Sequence, residues 1–159
     1  MTGFLADTSF LITLADARRP NHAHAQRYLR EAVTRRAPVF LSVIAIAEFH
    51  RKQSVNDLPL RNFRVLPFNV DHAMMAGTLA EALLRDQGDS RDAVKDDVKL
   101  LAQATCEAIP FVLTEDERTL AKFASRLRES GHVTVQSVLL ADGFDEAWFN
   151  GGQSSIPGS

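Results

Sequence analysis

The fold of this chain is decided by the stretch GFLADTSFLITL, residues 3–14. Residues 3–6 are apolar and predict a short buried strand. Phe10, Leu11 and Leu14 then recur at helical spacing, which predicts a helix directly after that strand. A strand that leads straight into a helix is typical of folds in which helices join parallel strands.

The rest of the chain repeats this alternation of apolar strands and amphipathic helices. Further strands are predicted at 38–42, 64–68, 111–114 and 133–135. Helices are predicted from Pro20 onward with Ala23 facing inward, and over 43–52, 71–85, 94–109 and 115–129. Pro67 cannot donate a ladder hydrogen bond, so the third strand is expected at an edge. The pattern predicts an α/β fold with a parallel sheet of about five strands flanked by helices.

Length and composition indicate one domain. The chain has 159 residues, of which 45% are hydrophobic and 24% charged, as in ordinary globular domains. The domain is expected over residues 1–149, followed by a flexible tail over 150–159 that is rich in serine and glycine. No apolar run approaches the roughly 20 residues needed to cross a bilayer. The single cysteine, Cys106, fits a reducing compartment, so we expect a cytoplasmic protein without membrane contact.

Charge is distributed unevenly along the chain. Residues 1–52 carry eight basic and four acidic residues, a net charge of +4, whereas the remainder has a net charge of −6. A basic region on an acidic protein can guide a polyanion toward one face. The candidate contacts to such a polyanion are Arg27, Arg30, Arg35 and Arg36. The alternative is that these arginines only solvate a helix.

Acidic residues follow three of the predicted strands, where open parallel sheets bind ligands. Asp7 follows the first strand, Asp116 comes just after the strand ending at residue 114, and Glu48 lies two helical turns beyond the second. Glu48 interrupts an apolar helix, where a lone carboxylate is costly without a partner or a cation. Alternatively, Asp7 and Asp116 are helix caps, and Glu48 pairs with an arginine.

Helical phase selects a fourth acidic residue from two neighbours. The apolar stripe of the helix predicted over 94–109 leaves Asp97 beside the core and turns Asp96 toward solvent. We therefore expect Asp97 to be a site residue and Asp96 to be a surface charge. Asp97 could instead be a charge in the first turn of the helix, which would need no ligand.

Carboxylates gathered at one edge of a sheet repel each other and take up protons unless a cation neutralises them. Oxygen ligands favour magnesium or manganese, and no cysteine or close histidine pair competes for zinc. These ions activate water and stabilise the charge of a phosphodiester transition state. The acidic set therefore predicts hydrolysis of a nucleic-acid backbone.

Four sequence motifs, taken in order, resemble the PIN-domain family, especially the VapC-type ribonuclease toxins of bacterial toxin–antitoxin pairs. LADTS at 5–9 is similar to the opening aspartate motif, and SVIAIAEF at 42–49 to the glutamate motif. DVKLLAQA at 97–104 resembles the third acidic motif, and LTED at 113–116 the final Thr-x-Asp element. The resemblance spans residues 5 to about 135 of the chain.

This resemblance implies a Rossmann-like sheet and a magnesium- or manganese-dependent endoribonuclease. It also implies a homodimer and an antitoxin that covers the active site. The catalytic and metal-binding set carried over from the motifs is Asp7, Glu48, Asp97 and Asp116, with Ser9 and Thr114 in support. The leading hypothesis is thus an RNA-cleaving toxin, and the alternative is a non-catalytic RNA-binding or regulatory module with the same fold.

Two segments depart from the family pattern. Residues 117–120 lack the aromatic residue that often follows the last aspartate, so a further acidic position at Glu117 is not assigned. Residues 143–149 extend beyond a minimal toxin of this type. Their aromatic side chains either cover the edge of the sheet or have a role in RNA stacking or dimer formation.

Other carboxylate enzymes fit the sequence less well. A phosphatase with an aspartyl nucleophile usually carries a second aspartate two residues after the first, and Ser9 stands there. A phosphoacceptor signalling domain would place its aspartate after the third strand, where Phe68 and Asn69 stand. Neither activity is therefore expected.

Overall fold

The computed structural model describes residues 2–87 and 91–151. The strands are β1 (Phe4–Ala6), β2 (Val39–Ser42), β3 (Arg64–Leu66), β4 (Phe111–Thr114) and β5 (Gln136–Leu139). The helices are α1 (Thr8–Ala15), α2 (His22–Thr34), α3 (Val43–His50), α4 (Val70–Gln87), α5 (Arg91–Cys106) and α6 (Leu120–Glu129). Short 3-10 turns lie at Val55–Asp57, Leu60–Asn62, Leu140–Asp142 and Glu146–Asn150.

The five strands form one parallel sheet in the order β3-β2-β1-β4-β5. β1 lies at the centre, with Phe4 opposite Val39 of β2 and Phe111 of β4. The chain builds outward to β3 and then returns to β4, so its direction of growth reverses between β1 and β4. Ligands bind at such a switch point in open α/β sheets. The predicted α/β fold is confirmed, and β3 lies at the expected edge.

The central strands are the middle of the hydrophobic core. Every residue of β1 and β4 is buried, because helices cover both faces of the parallel sheet. Helices on both sides contribute large buried side chains, among them Phe10, Tyr28, Leu79, Leu101 and Phe123. Burial of this apolar surface is the main favourable contribution to folding.

Two predictions in the C-terminal half were wrong in position. The fifth strand was expected at 133–135 but lies at Gln136–Leu139, where Gln136 pairs with Phe111. Val133 and Val135 are buried in the connection before this strand. The alternating apolar pattern at 133–135 therefore indicated buried side chains but not strand pairing. The helix expected over 115–129 begins only at Leu120, because the preceding residues form a turn closed by the Asp116 side chain.

Two helix boundaries in the N-terminal half also differ. The helix expected from Pro20 begins at His22, and it buries Ala25 while Ala23 is exposed. The helix expected over 43–52 ends at His50. Its start is as predicted, since the Ser42 hydroxyl caps the helix by accepting from the amide of Ile44.

The segment 143–149 packs against the amino ends of the central strands. Phe149 contacts Phe4 with ring centroids 5.0 Å apart, and Trp148 contacts Phe111 edge-on at 5.1 Å. These aromatic contacts agree with a role in covering the sheet, one of the two alternatives for this segment. Residues 152–159 lie outside the described residues, so the flexible tail over 150–159 stays a prediction, although Asn150 itself ends a 3-10 turn.

Within residues 2–87 and 91–151, no helix combines the length and the apolar character required of a membrane span.

Removal of the Phe149 ring should destabilise the domain. Phe149 is only 9% exposed and packs on the first residue of β1, so Phe149→Ala should lower the free energy of unfolding by about 3 kcal/mol. Urea denaturation of the parent and variant measures the loss. Val65→Ala is the control, because Val65 is 58% exposed on the edge strand. Equal stability of the two variants would show that the terminal turn adds nothing to the fold.

Candidate active site

A cavity of about 180 Å³ opens at the carboxyl edge of the sheet, at the switch point between β1 and β4. It is lined by the four predicted carboxylates, which are Asp7, Glu48, Asp97 and Asp116. The hydroxyl-bearing residues Thr8 and Ser9 and the cation Lys52 also line it. Four separate elements therefore bring the predicted acidic residues to one place, although they are up to 109 positions apart in the sequence.

Asp7 is the most deeply buried of the four carboxylates, with 4% exposure. Its Oδ1 accepts from the Ser9 hydroxyl at 2.7 Å and from the Phe10 amide at 2.8 Å. Its Oδ2 accepts from the Thr114 hydroxyl at the end of β4. Asp7 is thus the cap of α1 as well as part of the cavity, so the two alternatives for this residue coexist.

Ser9 and Thr114 connect Asp7 to the turn that carries Asp116. The Ser9 hydroxyl accepts from the amide of Glu115 at 2.8 Å, and the Thr114 hydroxyl accepts from the amide of Asp116 at 2.8 Å. Because each hydroxyl also donates to Asp7, it links the Asp7 carboxylate to this turn. The two side chains lie where a supporting role requires them.

Burial raises the pKa of Asp7 to about 7. The hydrogen bonds from Thr114, Phe10 and Ser9 lower it, and the nearby charge of Asp97 raises it further. The desolvation cost outweighs three donated hydrogen bonds, so a negative charge on Asp7 is poorly compensated by the protein alone. A cation in the cavity would supply the missing compensation.

The two neighbouring aspartates of α5 point in different directions, as the helical phase predicts. Asp97 lines the cavity, whereas the side chain of Asp96 is 45% exposed and pairs with Lys99 at 3.7 Å. Asp96 nevertheless lies near the rim, because its charge raises the pKa of Glu48. It is therefore a surface charge beside the cavity rather than one remote from it.

Burial also raises the pKa of Asp97, to about 6. The nearby Thr119 hydroxyl acts in the opposite direction and lowers it. The negative charges of Asp116, Glu48 and Asp96 raise it further. These carboxylates are therefore close enough for the charge of one to change the pKa of another.

Glu48 occupies a more exposed position than its apolar sequence neighbours suggest. On α3 only Ala45 and Phe49 are buried, and Glu48 itself is partly exposed. The expected cost of a lone carboxylate is still present, because burial is the largest cause of the raised pKa of Glu48. An apolar run in the sequence does not show how much of a short helix another element covers.

The pKa of Glu48 is raised by burial and then by the charge of Asp96. The nearby Thr8 hydroxyl lowers it, followed by the positive charges of Lys52 and Arg51. The sequence analysis did not single out Thr8 or Lys52. A basic residue one helical turn after the acidic position, as Lys52 stands after Glu48, was the available signal.

Asp116 is held by donors from its own turn. Oδ1 accepts from the amides of Arg118 and Thr119 at 3.1 and 3.0 Å, and Oδ2 accepts from the Thr119 hydroxyl. Asp116 therefore closes the turn before α6 and does not cap the helix itself, whose N-cap is Thr119, so the capping alternative does not hold in that form. Thr119 was also missed in the sequence, although a threonine three residues after an aspartate is typical of such turns.

Buried polar contacts fix α5, which carries Asp97, against the sheet. The Ser42 hydroxyl at the end of β2 donates to the Gln103 side-chain oxygen at 2.5 Å, and the Gln103 amide group donates to the Pro67 carbonyl at 3.0 Å. Ser42 and Gln103 are both fully buried. Gln103 was not recognised as a positioning residue, because its partners are distant in sequence.

The cavity provides oxygen donors but not a complete metal cage. Among residues 2–87 and 91–151, no three Asp, Glu, His or Cys side chains are grouped so that they could hold one ion. The buried Thr8 hydroxyl has no partner at hydrogen-bonding geometry in that part of the chain. Magnesium usually keeps several waters and is held by one or two carboxylates plus substrate phosphates. The donor set therefore fits magnesium or manganese bound partly through water.

The four candidate RNA-binding arginines differ in their surroundings. The guanidinium group of Arg27 lies 4.1 Å from the ring centre of Phe144, and that of Arg35 lies 4.9 Å from the ring centre of Phe149. Arg35 also pairs with Glu146 at 3.3 Å. These two arginines therefore stabilise the C-terminal segment. Arg30 and Arg36, in contrast, have exposed side chains without such contacts in the described part of the chain.

Solved structures with this fold come from several bacteria. FitAcB from Neisseria gonorrhoeae has a TM-score of 0.62 and 18% identity, covering 87% of this chain and 98% of its own. VapBC2 from Rickettsia felis, bound to a DNA fragment from its promoter, has a TM-score of 0.60 and 13% identity, covering 84% and 97%. VapC20 from Mycobacterium tuberculosis, described as a toxin that cleaves the sarcin-ricin loop, has a TM-score of 0.54 and 20% identity, covering 84% and 99%.

These similarities establish the fold, and the family follows from a sequence profile. No curated protein matches this chain in sequence. The profile of the PIN domain matches residues 4–125, which include the whole acidic set and both supporting hydroxyls. The resemblance inferred from the four motifs is thereby confirmed, and the chain belongs to the PIN-domain family.

Proposed function

We propose that this protein is a magnesium- or manganese-dependent endoribonuclease and the toxin of a type II toxin–antitoxin pair. The observation that carries the proposal is the convergence of four carboxylates on one cavity at the switch point of the sheet. The raised pKa values of Asp7, Glu48 and Asp97 support it, because a bound cation would offset the cost of burying their negative charges.

The family supports hydrolysis of nucleic acid as the reaction, since PIN-domain proteins are in general nucleases and usually use a divalent metal ion. RNA is the proposed substrate, and the description of VapC20 as a toxin that cleaves the sarcin-ricin loop supports this choice. A bound magnesium or manganese ion would supply an activated water and would neutralise charge on the phosphate.

The chain's own residues would hold and orient the reacting groups. Asp7 would be a fixed ligand, because Thr114, Ser9 and the Phe10 amide determine its orientation. The remaining ligands, direct or through water, would be Glu48, Asp97 and Asp116. Lys52 at the rim would attract the phosphate backbone toward the cavity.

Two protein partners belong to the proposal. An antitoxin is supported by the structural similarity to VapBC complexes, in which toxin and antitoxin occur together. A homodimer is supported by Val70 and Met74, which are 72% and 68% exposed and lie one turn apart on α4. We propose the cytoplasm as the place of action, where the RNA substrate is found.

One observation favours the alternative, a non-catalytic RNA-binding or regulatory module. The acidic side chains of the described residues are not grouped as a metal site, and Asp116 is engaged by donors of its own turn. The alternative predicts RNA binding without cleavage at any metal concentration. A cleavage assay therefore separates the two functions directly.

RNA cleavage by the parent protein should require magnesium or manganese and should stop in excess chelator. Asp7→Asn keeps the shape of the side chain but removes its charge, so the cleavage rate should fall by at least about 100-fold. Gel analysis of a labelled RNA measures the rate, and Asp142→Asn, an exposed aspartate outside the cavity, is the control. Cleavage by Asp7→Asn at the parent rate would exclude the proposed site.

The two aspartates of α5 provide a matched pair. Asp97 lines the cavity and Asp96 pairs with Lys99 outside it, so Asp97→Asn should reduce the cleavage rate by at least about 100-fold and Asp96→Asn by less than about 3-fold. Both variants carry the same change of charge one position apart. A stronger effect of Asp96→Asn would show that the assignment of the two side chains is reversed.

The benefit of metal to stability should increase with pH. Asp7 has an ordinary pKa of 3.8 and a folded-state pKa of about 7, so the metal-free protein loses stability as pH rises through this interval. Asp97 acts in the same direction up to about pH 6. Magnesium binds the charged form, so it should raise the melting temperature more at about pH 7.5 than at about pH 5. Thermal denaturation with magnesium or with chelator tests this, and an equal shift at both pH values would contradict it.

A further inference from the structure

A second pocket, of about 200 Å³, lies at the opposite edge of the sheet from the acidic cavity. Its rim carries three arginines, Arg36, Arg61 and Arg64, together with Asn62. Arg36 precedes β2 by three residues, and Arg64 is the first residue of β3. The pocket is therefore at the amino ends of the strands, whereas the four carboxylates are at or beyond the carboxyl ends.

The three guanidinium groups of this pocket have no charge partner in the described part of the chain. None of them forms an ion pair with an acidic side chain there, and none has a further charged or hydrogen-bonded partner for its side chain among the described residues. Three like charges around one small pocket repel each other, in a protein whose overall net charge is −2. An anion with several negative charges would relieve this repulsion.

The backbone position of Arg36 adds to this argument. Arg36 has φ of 56° directly after the end of α2, a left-handed conformation that glycine or asparagine usually occupies. The side chain is thus held at a position where an arginine is conformationally unfavourable. Arg36 nevertheless lines the pocket together with Arg61 and Arg64, and all three residues are exposed.

We propose that Arg36, Arg61 and Arg64 form a second RNA-binding site, which holds the phosphate backbone away from the acidic cavity. The choice of RNA as the polyanion rests on the proposed function. Arginine suits this role because its planar group binds phosphate through two parallel hydrogen bonds and can stack on an unpaired base.

The composition of the pocket favours a phosphate backbone over an acidic protein segment. Its apolar floor includes Val39 and Phe63, which are only 2% and 8% exposed. These side chains offer little apolar area to a docking helix or strand, which would need such area for affinity. The groups that reach solvent are mainly the guanidinium groups, so binding would be electrostatic and dependent on salt.

A larger groove adjoins this pocket along α2. The neighbouring groove, of about 450 Å³, shares Val33 and Asn62 with the basic pocket and carries Arg30 on its wall. It extends along α2 to Leu14 of α1, the helix capped by Asp7. Arg27 and Arg35 do not line the basic pocket, and they pack on aromatic rings instead.

The test measures binding of a fluorescently labelled single-stranded RNA in excess chelator, by anisotropy at a series of salt concentrations. The double variant Arg61→Gln/Arg64→Gln should bind RNA about 10-fold more weakly at low salt. The slope of log K against log salt should decrease by about 1.4, since each phosphate contact to a single strand contributes about 0.7.

A matched control separates local contacts from the general loss of charge. Lys122→Gln/Arg128→Gln removes the same two charges from exposed positions on α6, so it should change the affinity by less than about 2-fold and leave the slope unchanged. Thermal denaturation of both double variants verifies that they are folded. An unchanged slope for Arg61→Gln/Arg64→Gln, or a parent that does not bind RNA, would overturn the proposal.

Poly-L-glutamate serves as a second probe for the alternative ligand. If the parent binds it, and the Arg61→Gln/Arg64→Gln variant loses that binding while its RNA affinity is unchanged, the pocket binds acidic protein and the RNA assignment is wrong. Cleavage plays no part in these measurements. A parent that binds RNA through these arginines but never cleaves it would contradict the nuclease function and still support the second binding site.

Discussion

The buried carboxylate of Asp7 is the contact on which the candidate site depends. Asp7 directly follows β1, and its side chain caps α1 and accepts a hydrogen bond from Thr114 at the end of β4. It therefore joins three elements at the switch point of the sheet. Ser9 and Thr114 then connect it to the turn that holds Asp116. Displacement of Asp7 would therefore disturb the helix start and the geometry of the cavity together.

The four carboxyl groups of the acidic cavity are partly or fully buried, although burial of charged groups opposes folding. Burial is the largest cause of the raised pKa of Asp7, Glu48 and Asp97, and the repulsion between acidic groups adds to it. A cation that binds the folded state would offset this unfavourable energy. The same strain that lowers the stability of the metal-free protein would thus favour metal binding, which is a common relation between stability and activity.

The two edges of the sheet have opposite electrostatic character. The carboxyl edge carries the acidic cavity, and the amino edge carries Arg36, Arg61 and Arg64. A ligand that combines a scissile phosphate with a long negatively charged backbone needs both kinds of surface, because the carboxylates of the acidic cavity repel phosphate. Lys52 at the acidic cavity and the three arginines at the amino edge are the positive charges that would attract such a backbone.

The sequence by itself predicted the α/β class and most of the elements, and it nominated the four carboxylates that line the cavity. Short-range signals sufficed for β1, β2 and β4, for the Ser42 cap, and for the orientation of Asp97 relative to Asp96, because periodicity and capping act over a few residues. Only the tertiary structure decided the position of β5, the donors around Asp116, and the division of the arginines. Arg27 and Arg35 contact aromatic rings more than 100 positions away in the sequence, and Gln103 of α5 forms a hydrogen bond with Ser42 at the end of β2. Such contacts arise when distant segments pack together, and no local pattern encodes them.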